Sequence, residues 1–124
     1  MRQIKFKAKR LDGKGWAIGD LLHSYENGVI IVPIEGGGAF SVDPSTVCQF
    51  TGLKDCEDNE LYEHDVIKNY PFIPSEIVWS EELSGYYLTH ANGKIYEKPL
   101  GYYLSLGKFI VVGNTYENTN SIER

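Results

Sequence analysis

The sequence predicts a mainly β protein: small barrel or sheet lobes joined by long ordered loops, with at most short helical turns. Three observations carry this. Apolar and polar residues alternate with a period of two at the start of the chain, the pattern of a strand with one buried face. Thirteen glycines and sixteen aromatic residues, set against a single methionine, favour short strands and tight turns over helices. Two β-branched or aromatic runs, 29–34 and 109–114, follow or precede turn residues.

Taken in order, Ile4-Lys5-Phe6-Lys7-Ala8-Lys9 places Ile4, Phe6 and Ala8 on one face and three lysines on the other. Leu11 to Gly15 supply a turn in which Asp12-Gly13 suits positive φ, and Trp16 to Leu22 return as the second arm of a hairpin. Asn27-Gly28 turns the chain into Val29–Ile34, and a glycine-rich connection, Glu35 to Ala39, precedes Phe40-Ser41-Val42. Asp43-Pro44-Ser45-Thr46 has the form of a helical first turn, with Asp43 as N-cap and Pro44 at the first position. Thr51 to Asp65 offer few continuous apolar positions and read as a long loop anchored by Phe50, Leu53, Leu61 and Tyr62. A strand begins at Val66-Ile67. Glu76–Trp79 and Tyr86–His90 flank a polar turn as a second hairpin, and Phe109 to Asn114 form the last strand.

A chain of 124 residues suits one domain or two small packed lobes, and it can bury a core without disulfides or metal. We expect one β-rich domain over residues 1–118 and a frayed tail over 119–124. No apolar run reaches a membrane span, and the N-terminus lacks the apolar core of a signal peptide, so a cytoplasmic location is expected. Two cysteines in such a setting stay reduced. Cys48 reads as a small core residue, and Cys56, beside Glu57 and Asp58, sits in the wrong surroundings for an activated thiolate. The net charge of −5 is uneven: residues 1–15 carry +5 and the remainder −10. An acidic body disfavours non-specific polyanion binding and leaves the basic arm as the one nucleic-acid candidate.

No local pattern points to catalysis, a cofactor or a metal. Cys48, Cys56 and His64 lie eight residues apart, without the close ligand pairs of a structural zinc site. The acidic run 55–60 fails as a calcium loop, because Glu60 stands at the sixth position and Val66 at the twelfth. Gly36-Gly37-Gly38 lacks the Lys-Ser/Thr of a phosphate loop. His23, His64 and His90 fall in no catalytic motif, and Glu81-Glu82 lie at a hairpin tip where a raised pKa cannot be held.

Two surfaces remain. Tyr86, Tyr87, Tyr96, Tyr102 and Tyr103 suggest an interface, since one ring of each doublet on a strand must point outward. The alternative is that they pack the core. Lys5, Lys7, Lys9 and Arg10 form a basic stripe that could touch nucleic acid, protect an edge strand, or meet the acidic body of a neighbouring copy. Base-stacking aromatics are not expected on that face.

Three ordered blocks resemble the YopX-like family of phage and prophage proteins. They are Arg2–Ala8 followed by Trp16 and Gly19-Asp20, the central stretch from Asp43-Pro44 through Gln49–Asp55 to Glu60–Ile67, and Val112–Asn118. Two positions depart from the family's pattern: Asp58 and His64 stand where the family usually has turn glycines. The resemblance implies a mostly β fold, a phage or mobile-element origin and self-association, and it implies no catalytic residues. A non-catalytic homo-oligomer that binds a host or phage protein is expected, with a nucleic-acid accessory role or an enzyme of unknown reaction as alternatives. Asp43, Gln49, Thr51, Gly52, Asp55, Tyr62, Glu63 and Asp65 are the expected fold-defining residues, satisfying backbone groups that no ladder reaches.

Overall fold

The computed structural model describes residues 3–26, 28–69 and 73–117. The chain divides into two compact units, residues 1–52 and 53–124. The tail expected over 119–124 lies outside the described residues.

The first unit contains β1 (Phe6–Lys9), β2 (Trp16–Ser24), β3 (Gly28–Val32), β4 (Phe40–Ser41), a 3₁₀ turn (Pro44–Thr46) and most of β5 (Cys48–Lys54). Its strands lie in the order β4-β3-β2-β1-β5, with antiparallel pairing. The first hairpin forms as expected, pairing Phe6 with Gly19 and Ala8 with Ala17. Ala8 and Ala17 belong with Ile31 and Val42 to a core packed by Phe6, Leu21, Val29 and Phe40. After β4 a single bridge joins Val42 to Arg10, and Asp43 N donates to Lys9 O at 2.8 Å. Thr46 completes the clamp: its Oγ1 accepts from Lys9 N at 2.8 Å and donates to Asp43 O at 2.7 Å. The expected Asp43 cap is in place, with Oδ1 accepting from Ser45 N at 3.0 Å and Pro44 at the first position.

Three expectations are corrected here. Among the described residues no barrel closes, because β4 is two residues long and offers a bridge instead of a full ladder. β1 is an inner strand between β2 and β5, so its lysines do not guard an edge. The alternation also shifts at its start: Ile4 is 55% exposed whereas Lys5 is only 9% exposed, because Lys5 lies over the Phe50 ring.

The second unit contains β6 (Glu60–Tyr62), β7 (Asp65–Lys68), β8 (Ser75–Ser80), β9 (Gly85–Leu88), α1 (Leu100–Leu106) and β10 (Ile110–Asn114). Four of its strands form an antiparallel sheet in the order β10-β7-β8-β9, with a register shift between Val111 and Gly113. Leu61, Ile67, Ile77, Leu88 and Leu100 make its core. Each such side chain contributes about 2 kcal/mol of transfer free energy when fully buried.

The long loop expected over Thr51–Asp65 is instead ordered as strand, turn and strand. β5 runs on to Lys54, and β6, next in the sheet order, returns after a turn at 55–59. The sequence hides this because Gly52 takes φ +84° within β5 and breaks the apolar alternation. The short helical element lies at α1, seven residues long, after Pro99. Leu100, Tyr103 and Leu104 share one helical face toward the core, a 3.6-residue period obscured by the aromatic doublet.

Gly19 is fixed by space. A Cβ built there would lie 2.2 Å from Val32 O and 2.7 Å from Pro33 Cα, both backbone atoms that cannot swing aside. Gly19→Ala is expected to destabilise the protein by about 2 kcal/mol or more, the upper range for overpacking. A urea unfolding midpoint equal to that of the wild type would refute this account.

Candidate functional site

The basic stripe is engaged with aromatic rings of its own unit. Lys5 Nζ lies 4.9 Å from the centroid of Phe50, and Lys7 Nζ lies 4.9 Å from that of Trp16. The Arg10 guanidinium lies 4.1 Å from the Phe40 ring and pairs with Asp12 at 2.5 Å. Lys9 uses its backbone to hold Thr46 and Asp43, as described above. Aromatics therefore do underlie this stripe, contrary to the sequence expectation, and each face is already covered by a cation of the same unit.

The tyrosines separate into different roles. Tyr87 is buried, and Tyr86, Tyr96 and Tyr103 pack against the core of the second unit. Tyr86 meets Trp79 edge-on at 5.0 Å, and Tyr96 stacks on His90 at 4.1 Å. Tyr102 is the exposed ring of the set. The outward-ring argument requires extended chain, and it fails at Tyr102-Tyr103 because these residues are helical.

The fold-defining set lies mostly at turns. Gln49 pairs with Phe6, and Thr51 and Gly52 follow along β5. Asp55 is 7% exposed and accepts four hydrogen bonds. These come from Glu57 N at 2.9 Å, Asn59 N at 2.8 Å, Asn59 Nδ2 at 3.0 Å and Val111 N at 3.0 Å. Burial pushes its carboxyl upward, but the bonds from Val111, Asn59 and Glu57 outweigh this and hold it below the ordinary 3.8. Asp65, buried in β7, accepts from Tyr62 N at 2.8 Å and from Asn114 Nδ2 at 2.9 Å. Tyr62 is buried with its hydroxyl on Glu60 at 3.1 Å; desolvation, then Glu60, pushes its pKa up.

Glu63 and His64 form the turn between β6 and β7. His64 has φ +71° and Asp58 has φ +68°, so both departures from the glycine pattern occupy the left-handed region. His64 is compensated by its contacts. Its N donates to Ile77 O at 2.7 Å, its O accepts from Thr115 N at 3.0 Å, and its ring meets Tyr116 edge-on at 5.2 Å. Its Nδ1 donates to Glu76 Oε2 at 2.8 Å. Among the described residues no three His, Cys, Asp or Glu side chains group as metal ligands. Cys48 is buried with its thiol on Thr46 O, and Cys56 is exposed.

A further surface escaped the sequence reading. The outward face of β2 and β3 carries Ile18, 45% exposed, and Leu22, 49% exposed. Leu22 pairs with half-buried Ile30, Asp20 with half-buried Val32, and Ile18 with Lys7. The inward positions Ala17, Leu21, Val29 and Ile31 belong to the core, so both faces of this hairpin are apolar. Trp16–Leu22 carries that signal: apolar residues occupy both phases of the alternation.

Asp55→Ala strips an acceptor from three backbone N–H groups and is expected to cost about 3 kcal/mol, with the urea midpoint lowered and the slope unchanged. An unchanged midpoint would reject the clamp. The Glu76 hydrogen bond, working against desolvation and supported by the charges of Glu63, Glu76 and Asp65, raises His64 above its ordinary 6.5. A raised folded-state pKa gives stability that is fully present below the unfolded value and lost as pH rises through the folded one. Tm is therefore expected to fall as pH rises from the ordinary imidazole range through the raised folded-state pKa of His64, and His64→Gln should flatten that slope. Parallel profiles for the two proteins would contradict this assignment.

No curated protein matches the chain. The family model described as YopX protein matches residues 16–123, a span that takes in Trp16, Gly19-Asp20, the central block and the closing segment, while Arg2–Ala8 precede it. The chain belongs to the YopX protein family.

Proposed function

We propose that this is a phage-type binding protein that acts without catalysis, associates with itself and presents the assembled surface to a host or phage protein. The observation that supports this reading is the aliphatic outward face of β2 and β3, with Ile18 and Leu22 each nearly half exposed beside Ile30 and Val32. Contiguous apolar surface on a sheet face is covered in a working protein by another surface. Lys7 and Asp20 border the same face. A two-fold pairing of identical faces would bring the lysine of one copy toward the aspartate of the other.

The clamp residues support a structural role for the central block. Asp55 and Asp65 are spent on backbone and amide donors, and His64 is held by Glu76. The nucleic-acid reading is weaker, since Lys5, Lys7 and Arg10 already cover aromatic rings. No described helix is long and apolar enough to cross a membrane.

Light scattering after size exclusion tests the proposal. The wild type is expected to run as an oligomer that survives high salt, because apolar burial and not ion pairing holds it. Leu22→Lys should shift it to monomer with unchanged circular dichroism. A wild-type monomer at both salt concentrations would overturn self-association through this face, and salt-sensitive retention on heparin would favour the nucleic-acid reading.

A further inference from the structure

The second unit holds a cavity of about 320 Å³ among Tyr96, Tyr103, Phe109, Asn69 and Ser75, with Ile73 and Leu106 exposed at its rim. Its aromatic walls come from three separate parts of the unit. Tyr103 comes from α1, Phe109 from the segment before β10, and Tyr96 from the stretch after the Thr89–Ile95 bridge. Tyr96 is fixed on both sides by aromatic contacts, stacked on His90 at 4.1 Å and edge-on to Tyr103 at 5.1 Å. These rings are held in place before any ligand arrives.

The polar groups are few and specific. Ser75, 5% exposed, has its Oγ 3.2 Å from Tyr96 Oη. The Asn69 carboxamide makes no hydrogen bond with a described residue, so both its donor and its acceptor sides are open to a ligand. Gly107 makes room for it. A Cβ at that position would lie 2.6 Å from Asn69 Nδ2 and 3.5 Å from Phe109 Cε1. The Gly107 backbone is extended, with φ −152°, so any residue could adopt it, but a side chain there would have to displace the Asn69 amide.

Size, charge and edge chemistry narrow the occupant. A buried cavity of about 150 Å³ accommodates benzene, and a space about twice as large suits two fused rings. Among the described residues no charged side chain lines the cavity, so an anion would lose hydration without a counter-charge from them. A side-chain amide, with its adjacent donor and acceptor, matches a ring edge bearing an adjacent acceptor and donor, the pairing that asparagine makes with adenine.

We propose that this cavity binds a neutral, planar heteroaromatic ligand of purine size, a free base or nucleoside, with Asn69 hydrogen-bonding to its edge. This activity is separate from self-association through β2 and β3 and is measured on the full chain in whatever oligomeric state it takes.

Calorimetric titration with adenosine is the test, with indole as a bicyclic lacking the adjacent acceptor–donor edge and adenosine monophosphate as the charged analogue. Adenosine is expected to saturate the wild type and to bind more tightly than either comparison ligand. Asn69→Leu should weaken adenosine about tenfold or more, the effect of 1.4 kcal/mol, while leaving indole unchanged or improved. Gly107→Val should abolish both. Absence of saturation by adenosine in the millimolar range would overturn the proposal. Equal binding of adenosine and indole, or full retention of adenosine by a folded Asn69→Leu variant, would do the same, reducing the cavity to a non-selective apolar space.

Discussion

One carboxylate organises the second unit. Asp55 closes the turn after β5 through Glu57 N and Asn59 N, and with the same side chain reaches Val111 N, 56 residues further along. A turn fixed only by local bonds would be free to fray. Here the local turn and the long-range strand are satisfied by one group, so neither can be lost without leaving the other's donors unmet. Asp65 repeats the device on β7, joining Tyr62 N to the Asn114 side chain, which in turn accepts from Tyr116 N. The central block thus carries aspartates that tie its turns to the β10 strand.

Much of the fold was legible because strands with one buried face write their period into the sequence. The first hairpin, the Asp43-Pro44 turn, and the β8–β9 hairpin are each carried by local chemistry: a turn glycine, a cap, or alternation around a polar tip. The failures have a common cause. At Gly52, positive φ interrupts the alternation, and at Tyr102-Tyr103 aromatic residues mask a helical period set by Leu100 and Leu104. Long-range partners were not legible at all. Nothing local in Asp55 announces Val111, and nothing in Lys5 or Arg10 announces the rings of Phe50 and Phe40. The aliphatic face was missed for a different reason, since apolar residues in both phases of β2 do not say which phase faces out.

The two non-glycine residues in left-handed turns show how a family pattern can be departed from. Asp58 is a short polar residue on an exposed turn, a type that tolerates this conformation best after glycine. His64 is bulkier, and its cost is offset by the ring's contacts with Glu76 and Tyr116. The substitution at 64 therefore brings a titratable group into a place where glycine has none, making this turn responsive to proton concentration.

β10 is an outer strand of its sheet. An outer strand ordinarily presents a row of open amides and carbonyls on which a further strand can add. On this one, Val111 N is taken by the Asp55 carboxylate and Phe109 O by Cys56 N. An incoming strand would have to displace a charged acceptor that is already satisfied, and would leave that acceptor stranded. The turn after β5 is therefore also a stopper against sheet extension. Copies of this protein crowded together are thereby steered away from fibre-like growth along this margin.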